Sequence, residues 1–271
     1  MPMKLSVISI TYNNLEGLKK TLDLFLQHPN SAIELVVVDG GSKDQTAAYL
    51  AEQKGIQQWV SEPDKGIYNA MNKGLQMAKG EYVWFLNAGD YVEQWASVEQ
   101  LLTAIATAPD AIYAETMMVD AQGKHLGIRS QYSTQVLPKQ LTWQSLRMGM
   151  TVCHQSFVIK RSLALPYNET YRYVADIDWM ISCLKACQTI HLLPGILANF
   201  TVDGFSSTHR NISNKERYKV LQKHYGFFPN LLAHVGIVVR KMLRWCEGFL
   251  AGSEDGFLTL FGRLIPHCIR K

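Results

Sequence analysis

One segment in the first third of the chain, residues 61–90, constrains the fold more than any other. Its last part, Tyr82–Leu86, is an uninterrupted apolar and aromatic run. Such a run is typical of a strand in a parallel sheet whose two faces are covered by helices. The run stops at Asn87 and is followed by Asp90, so polar oxygens come directly after a strand. Ligands of open α/β sheets bind at this end of the strands, although Asn-Ala-Gly-Asp is also ordinary turn chemistry.

Strand and helix patterns alternate along the first 106 residues. The predicted strands are Leu5–Ile10, Glu34–Val38, Gln58–Val60 and Tyr82–Leu86. The predicted helices are Leu15–Leu26, Thr46–Lys54, Ile67–Ala78 and Val98–Ala106. Alternation at this spacing predicts an α/β fold with a mostly parallel sheet and helices on both faces.

The pattern loosens after a further predicted strand, Ala111–Ala114. Residues 115–150 are polar with scattered Gly and Pro, which predicts a small hairpin and a flap over the site. A helix from about Asp176 to Ala186 and two short strands, 189–193 and 197–202, are expected next. Because no linker separates two autonomous units, residues 1–225 are predicted to form one domain. Residues 226–271 are predicted to form a C-terminal helical extension.

The charge of the chain is uneven. The formal net charge is only +4, but residues 210–271 contain eleven Lys and Arg against four Asp and Glu. Residues 231–249 also have helical spacing with one apolar face and one basic face. This combination favours an anionic membrane surface as a partner. Three alternatives stay open: a solvated helix face, packing on the catalytic domain, or packing on a second copy of the chain as a homodimer. No nucleic-acid partner is expected.

The cysteines and the N-terminus indicate a reducing compartment. The five cysteines are odd in number and include no Cys-x-x-Cys pair, so we expect reduced thiols. The chain begins Met-Pro-Met-Lys-Leu and runs into a strand without a signal-peptide pattern. No apolar run approaches the ~18 residues of a membrane span. The predicted location is the cytoplasm, with peripheral attachment to the cytoplasmic face of the inner membrane.

Polar groups follow three of the predicted strands. They occupy Thr11–Asn14, Asp39–Gly41 and Asn87–Asp90. A carboxylate at a strand end is suited to the N–H groups of a base or to ribose hydroxyls, and the glycines let the backbone approach a ligand closely. No Gly-x-Gly-x-x-Gly follows a strand and no Gly-x-x-x-x-Gly-Lys-Ser/Thr is present, which argues against a dinucleotide fold and a phosphate-loop NTPase.

Taken in order, these segments resemble family 2 glycosyltransferases of the GT-A fold. The first four matching segments are Ile8–Asn14, Val37–Asp44, Glu62–Gly74 and Phe85–Asp90. The later ones are Cys153–Phe157, Tyr171–Trp179 and Asp203–Thr208. The resemblance covers residues 4 to about 225. It is closest to bacterial enzymes that build exopolysaccharide, including the colanic-acid type, and O-antigen.

The resemblance implies a role for each part of the site. The donor nucleotide sugar would be bound by Thr11, Tyr12, Asn14, Asp39, Asp64, Lys65, Asn69 and Asn87. Asp176 falls where the family has its general base, and Asp178 is expected to be structural. His154 and Gln155 would lie by the acceptor or the diphosphate, although His154 is also compatible with a buried core histidine. Ser206, in the Gly204–Thr208 turn, would lie near the diphosphate.

The metal site departs from the family pattern. The usual motif is Asp-x-Asp, but this chain has Asn87 and Gly89 at those positions and Asp90 one residue later. Mn²⁺ and Mg²⁺ prefer carboxylate oxygen, so the resemblance implies a divalent cation held through Asp90.

The function implied is an inverting glycosyltransferase. It would move a sugar from a nucleoside-diphosphate donor to a hydroxyl of a lipid-linked saccharide in surface polysaccharide biosynthesis. The alternative is a non-catalytic nucleotide-sugar-binding subunit that docks a polysaccharide-assembly complex at the membrane. A base pocket of Thr, Tyr and Asp accepts uracil or guanine alike, so the sequence leaves the nucleoside and the sugar open.

Overall fold

The structure of the protein, a computed structural model, describes residues 3–133, 135–202, 210–233 and 236. In this part of the chain the strands are β1 (Leu5–Thr11), β2 (Ile33–Asp39), β3 (Gln58–Ser61), β4 (Tyr82–Phe85), β5 (Ala111–Val119), β6 (His125–Ile128), β7 (Phe157–Lys160) and β8 (Ile190–Thr201). The α-helices are α1 (Leu15–Gln27), α2 (Thr46–Glu52), α3 (Ile67–Met77), α4 (Trp95–Ala106), α5 (Arg129–Tyr132), α6 (Ala175–Ala186) and α7 (Arg210–Tyr225). Short 3₁₀ helices occupy Trp143–Met148, His154–Ser156 and Arg161–Leu163.

The strands form a single mixed sheet. Their order is β3-β2-β1-β4-β7-β5-β6, and β8 pairs with β5. The first four strands are parallel, as predicted. β7 is antiparallel to both β4 and β5, and β6 is antiparallel to β5, so the second half of the sheet is not uniformly parallel. Because β1, β2 and β4 are parallel neighbours, their carboxyl ends meet at one edge.

Each face of the sheet is covered by its own apolar layer. On β4, Trp84 belongs to one layer and Phe85 to the other, as the two-residue side-chain period of a strand requires. The Trp84 layer includes buried residues of α1 and α4, and the Phe85 layer includes buried residues of α3 and α6. Gly74 of α3 packs directly on β1, since a Cβ there would lie 2.4 Å from Cγ2 of Ile8. This confirms the prediction of a sheet between two helical layers.

The last strand is longer than predicted. β8 runs continuously from Ile190 to Thr201, whereas the sequence predicts two short strands at 189–193 and 197–202. Pro194 and Gly195 separate the two predicted strands, and the pairing with β5 shifts register opposite them. A bulge of this kind lets a strand continue through residues that would otherwise end it.

The predicted hairpin is present as β5 and β6, which pair antiparallel. Of the five cysteines, Cys153, Cys183 and Cys187 are free thiols, and the other two lie outside the described residues. No helix within the described ranges is long and apolar enough to span a membrane. Most of the predicted amphipathic segment 231–249 and the tail to residue 271 also lie outside the described residues.

Candidate active site

A cleft of about 1000 Å³ opens at the carboxyl ends of β1, β2 and β4. Its walls come from the loops after these strands, the turn before α3 and the segment 169–172. Seven of the residues predicted to bind the donor line it: Thr11, Tyr12, Asn14, Asp64, Lys65, Asn69 and Asn87. The parallel strands therefore bring to one edge polar groups that are up to 76 positions apart in the chain.

The loop after β1 is tied to both neighbouring loops. Asn14 caps α1 by accepting the Gly17 N–H at 3.1 Å, and its amide donates to the Ala88 carbonyl at 3.2 Å. Asn13 joins the loop after β2, because its side-chain oxygen accepts the Lys43 N–H at 2.8 Å. These contacts leave Tyr12 on the surface of the cleft, with 59% of its area exposed.

Asp39 lies beneath the cleft and not on its surface. Its carboxylate is 0% exposed and accepts the Ser42 N–H at 3.2 Å, the Ser42 hydroxyl, and the Ser61 hydroxyl at 2.6 Å. Gly40 and Gly41 follow it and line the cleft. The carboxylate thus holds the glycine turn in place, and a direct contact with a base would require that turn to open.

The turn before α3 brings Asp64 to the cleft. Its carboxylate accepts the Gly66 N–H at 2.8 Å, which is an Asx turn. A Cβ on Gly40 would lie 2.4 Å from Oδ2 of Asp64, so only glycine at position 40 allows this approach. Asn69 accepts the Lys65 N–H at 3.2 Å and donates to Glu169 at 3.1 Å, which connects the turn to the opposite wall.

The residues after β4 are partly buried. Asn87 lines the cleft, and its side-chain oxygen is buried without a hydrogen-bond partner among the described residues. Asp90 is buried, and burial raises the pKa of its carboxyl to about 7 despite hydrogen bonds with Gln155 and Asn87. Gly89 has φ +107°, a conformation that disfavours any side chain, while a Cβ there would meet nothing closer than 4.0 Å. Backbone strain, and not lack of space, therefore disfavours a carboxylate at position 89.

These residues fit a hard divalent cation only in combination with a ligand. No group of three His, Cys, Asp or Glu side chains in the described part of the chain is arranged to hold a metal. The unpartnered amide oxygen of Asn87 and the carboxylate of Asp90 supply two oxygen donors of the type that Mg²⁺ and Mn²⁺ prefer. The remaining oxygens would have to come from a diphosphate and water.

Asp176 lies in the first turn of α6, at the border of the cleft. Its Oδ1 accepts the Tyr68 hydroxyl at 3.3 Å and the Ile177 N–H at 2.9 Å, and Tyr68 lines the cleft. Burial raises the pKa of the Asp176 carboxyl, while the Ile177 N–H, the charge of Arg217 and the Tyr68 hydroxyl oppose this rise. A carboxylate with a raised pKa beside a polar cleft is suited to accepting a proton.

Asp178 has a different environment two residues later. Its Oδ1 accepts Nζ of Lys223 at 2.9 Å and Nε2 of His224 at 2.7 Å. Burial alone would raise the pKa of Asp178, but the hydrogen bonds from His224 and Lys223 hold it below its ordinary value. The two carboxylates thus face different partners, and Asp178 joins α6 to α7.

His154 and Gln155 lie behind the cleft wall. His154 is buried next to Phe85 and Trp179, and its Nε2 is 2.6 Å from the Tyr167 hydroxyl. Burial lowers the pKa of His154 to about 4, so the ring is neutral at pH 7. Gln155 is also buried and connects Asp90 to the core. Neither side chain lines the cleft.

The structure also places residues on the cleft that had no assigned role. They are Tyr68, Glu169, Tyr171 and Arg172, together with Lys43. Glu169 is held by Asn72 at 2.8 Å as well as by Asn69, and these two asparagines are three apart on α3. A spacing of three residues places both asparagines on one face of the helix, and this spacing is visible in the sequence. Ser206 and the turn Gly204–Thr208 lie outside the described residues.

Solved structures with a similar fold are glycosyltransferases. Staphylococcus aureus TarS, solved as residues 1–349 in complex with UDP-GlcNAc, matches with a TM-score of 0.64 and 19% identity, over 80% of this chain and 64% of that chain. The mannosyltransferase PcManGT of Pyrobaculum calidifontis, solved with GDP-Man and Mn²⁺, matches with a TM-score of 0.61 and 17% identity, over 96% of this chain and 79% of that chain. The α/β architecture described above is the GT-A fold.

Sequence comparison supplies the family. A protein of Mycobacterium tuberculosis described as an uncharacterized glycosyltransferase is 40% identical over 254 residues, which span 90% of this chain and 94% of that protein. Residues 6–165 match the family described as glycosyl transferase family 2. This chain therefore belongs to glycosyl transferase family 2 and is a glycosyltransferase of the GT-A fold.

Proposed function

We propose that the protein transfers a sugar, with inversion, from a nucleoside-diphosphate sugar to a hydroxyl of a lipid-linked saccharide in surface polysaccharide biosynthesis. The observation that carries this proposal is the position of Asp176. It borders the same cleft as the strand-end loops and is linked to it by the Tyr68 hydroxyl at 3.3 Å. A donor bound along the loops would therefore share the cleft with a general base, the Asp176 carboxylate.

The loops supply the donor side of the reaction. Tyr12 and Asp64 stand on the cleft surface, where a ring face and a carboxylate suit a base and a ribose. Thr11, Asn14, Lys65 and Asn69 complete this wall. Support for a nucleotide-sugar donor comes from TarS and PcManGT, whose structures hold UDP-GlcNAc and GDP-Man.

Asn87 and Asp90 would hold Mn²⁺ or Mg²⁺. PcManGT, solved with Mn²⁺, supports the use of a divalent cation. When bound, such a cation supplies positive charge that stabilises a leaving diphosphate.

Asp176 would act on the acceptor. Its carboxylate would take the proton of the attacking hydroxyl while the new glycosidic C–O bond forms at the anomeric carbon. The bond from that carbon to the diphosphate oxygen breaks, and the nucleoside diphosphate leaves with the electron pair. Attack from the face opposite the diphosphate inverts the configuration.

A donor screen tests the proposal. Because a ligand that binds only the folded state stabilises it by mass action, one of UDP, GDP and dTDP, with its sugars, should raise the melting temperature selectively. The purified protein should also hydrolyse the matching donor slowly. Stabilisation without any hydrolysis would instead support the non-catalytic binding subunit.

Asp39→Ala should weaken donor binding. The change removes the acceptor for Ser42 and Ser61 and frees the Gly40–Gly41 turn, so we expect a loss of about 1–3 kcal/mol, the range for unsatisfied hydrogen-bond partners. Titration calorimetry with the stabilising nucleotide measures it. Ser61→Ala, which removes one donor and keeps the carboxylate, is the milder control. Unchanged affinity in a folded Asp39→Ala protein would exclude a role for Asp39 in donor binding.

We also propose that the protein attaches to an anionic membrane surface. Residues 227–233 form a helical segment after α7 with one apolar exposed face, made of Phe227, Phe228, Leu231 and Leu232. Phe228 is 75% exposed and Leu232 is 69% exposed. The helix that precedes it in sequence, α7, carries exposed lysines at positions 215, 219 and 223. Apolar area beside basic charge is the pattern by which helices bind anionic lipid surfaces.

Replacing Phe228 and Leu232 together by Ser should reduce liposome binding. The protein should float with vesicles that contain anionic lipid and less with neutral vesicles, and the double variant should lose most of this binding. Val136→Ser is the control. Val136 is also a highly exposed apolar residue, at 70%, but it lies in the 115–150 segment and not in the helical segment 227–233. No flotation with either lipid, or equal flotation with both, would favour packing of this face on protein.

A further inference from the structure

Helix α7 contacts the segment that leads into the general base. The carboxylate of Glu216 accepts the backbone N–H of Arg172, at 3.0 and 3.2 Å, and the backbone N–H of Tyr173 at 2.9 Å. Hydrogen bonds to a charged acceptor are about twice as strong as neutral ones. Arg172 and Tyr173 directly precede Val174, the N-cap of α6, so Glu216 fixes the chain where it enters this helix.

The segment held by α7 contains both acceptor-side parts of the cleft. Tyr171 and Arg172 line the cleft, and Asp176 follows four residues later. Lys223 and His224, further along α7, bind Asp178 of α6. A small shift of α7 would therefore move the cleft wall and the base together. Catalytic geometry is sensitive to such shifts, because a displacement of about 1 Å costs up to about 10²-fold in rate.

We propose that Glu216 is a positioning residue for sugar transfer: its carboxylate, bound to the N–H groups of Arg172 and Tyr173, holds the 171–176 segment in place. This inference rests on the proposed role of Asp176 as the base. It assigns to α7, which lies beyond the 6–165 region that matches the family, a part in the reaction and not only in the fold.

The test uses the chain of residues 1–271 and compares kcat, KM, donor affinity and melting temperature in three variants. Glu216→Ala should lower kcat for transfer by up to about 10²-fold with little change in donor affinity. Glu216→Gln, which keeps an acceptor oxygen, should restore much of that loss. Asn214→Ala, on the exposed side of α7, is the control and should match the parent protein.

One result would overturn the inference: a Glu216→Ala protein whose only defect is a lower melting temperature, with kcat and KM unchanged where it is folded. This failure is distinguishable from failure of the proposed function. If Asp176→Asn abolishes transfer while Glu216→Ala behaves as the parent, Asp176 remains the base and the positioning role of Glu216 is wrong. If Asp176→Asn retains full transfer, both proposals are wrong.

Discussion

Asp176→Asn should slow sugar transfer by about 10²–10⁴-fold, the contribution of a general base. The asparagine keeps the shape of the side chain and still accepts the Ile177 N–H, but it does not take up a proton. Because Asp176 does not line the donor wall, donor affinity should be nearly intact. Steady-state transfer kinetics and donor titration, run on the same folded preparation, separate the two quantities.

Asp178→Asn is the matched control for this change. It removes the same charge two residues away on the same helix, but from a carboxylate that is bound to Lys223 and His224. We expect a loss of stability, since the half-exposed Lys223 loses its counter-charge and the buried His224 loses an anionic acceptor. Only a mild loss of turnover is expected. If Asp178→Asn abolished transfer and Asp176→Asn did not, the base would be Asp178. If both remained active, the base would lie elsewhere.

The pH dependence of transfer follows from the environment of Asp176. A general base works in its deprotonated form, and the pKa of Asp176 is raised chiefly by burial. Turnover should therefore fall as the pH drops through a value above that of an ordinary aspartate. An acid limb at the position of an exposed aspartate would contradict the burial that the structure shows. The limb should be absent from the residual activity of Asp176→Asn.

The first half of the fold is predictable because its signals are local. β1, β2 and β4 are mostly apolar runs that end at polar turns, and parallel pairing then places those ends together. The position of β7 is not predictable in this way. It inserts antiparallel between β4 and β5, and short runs such as Phe157–Lys160 do not specify a partner strand. Pro194 and Gly195 likewise suggest a break where a bulge lets β8 continue.

The donor wall is predictable for the same reason, and the acceptor side is not. Tyr12, Asp64 and Asn87 are attached to strand ends whose location follows from the sheet. Whether a polar side chain faces the cleft or the interior depends on contacts from distant segments. His154 is buried because Tyr167 supplies its partner, and Asp39 is covered because Ser42 and Ser61 satisfy it. No spacing rule on a single sequence identifies such partners.

Removal of divalent metal should lower transfer by about 10²–10³-fold, the equivalent of about 3–4 kcal/mol. The protein offers one carboxylate, on Asp90, and one neutral oxygen, on Asn87. Two donors hold Mg²⁺ or Mn²⁺ weakly, so the cation should bind appreciably only when a diphosphate adds its oxygens. Excess chelator should abolish most of the rate, and Mn²⁺ or Mg²⁺ should restore it. Full activity in chelator would show that protein cations such as Lys65 serve instead.

Asn87→Asp sharpens this test. The change adds a second carboxylate at a position that lines the cleft and whose oxygen has no partner within the described residues, so half-maximal activation should require less metal. Gly89→Asp, which would recreate the spacing of the family motif, should not do the same, because φ +107° strains any side chain there. Asp90→Ala should remove metal activation altogether. Equal metal dependence in the parent, Asn87→Asp and Asp90→Ala would place the cation elsewhere.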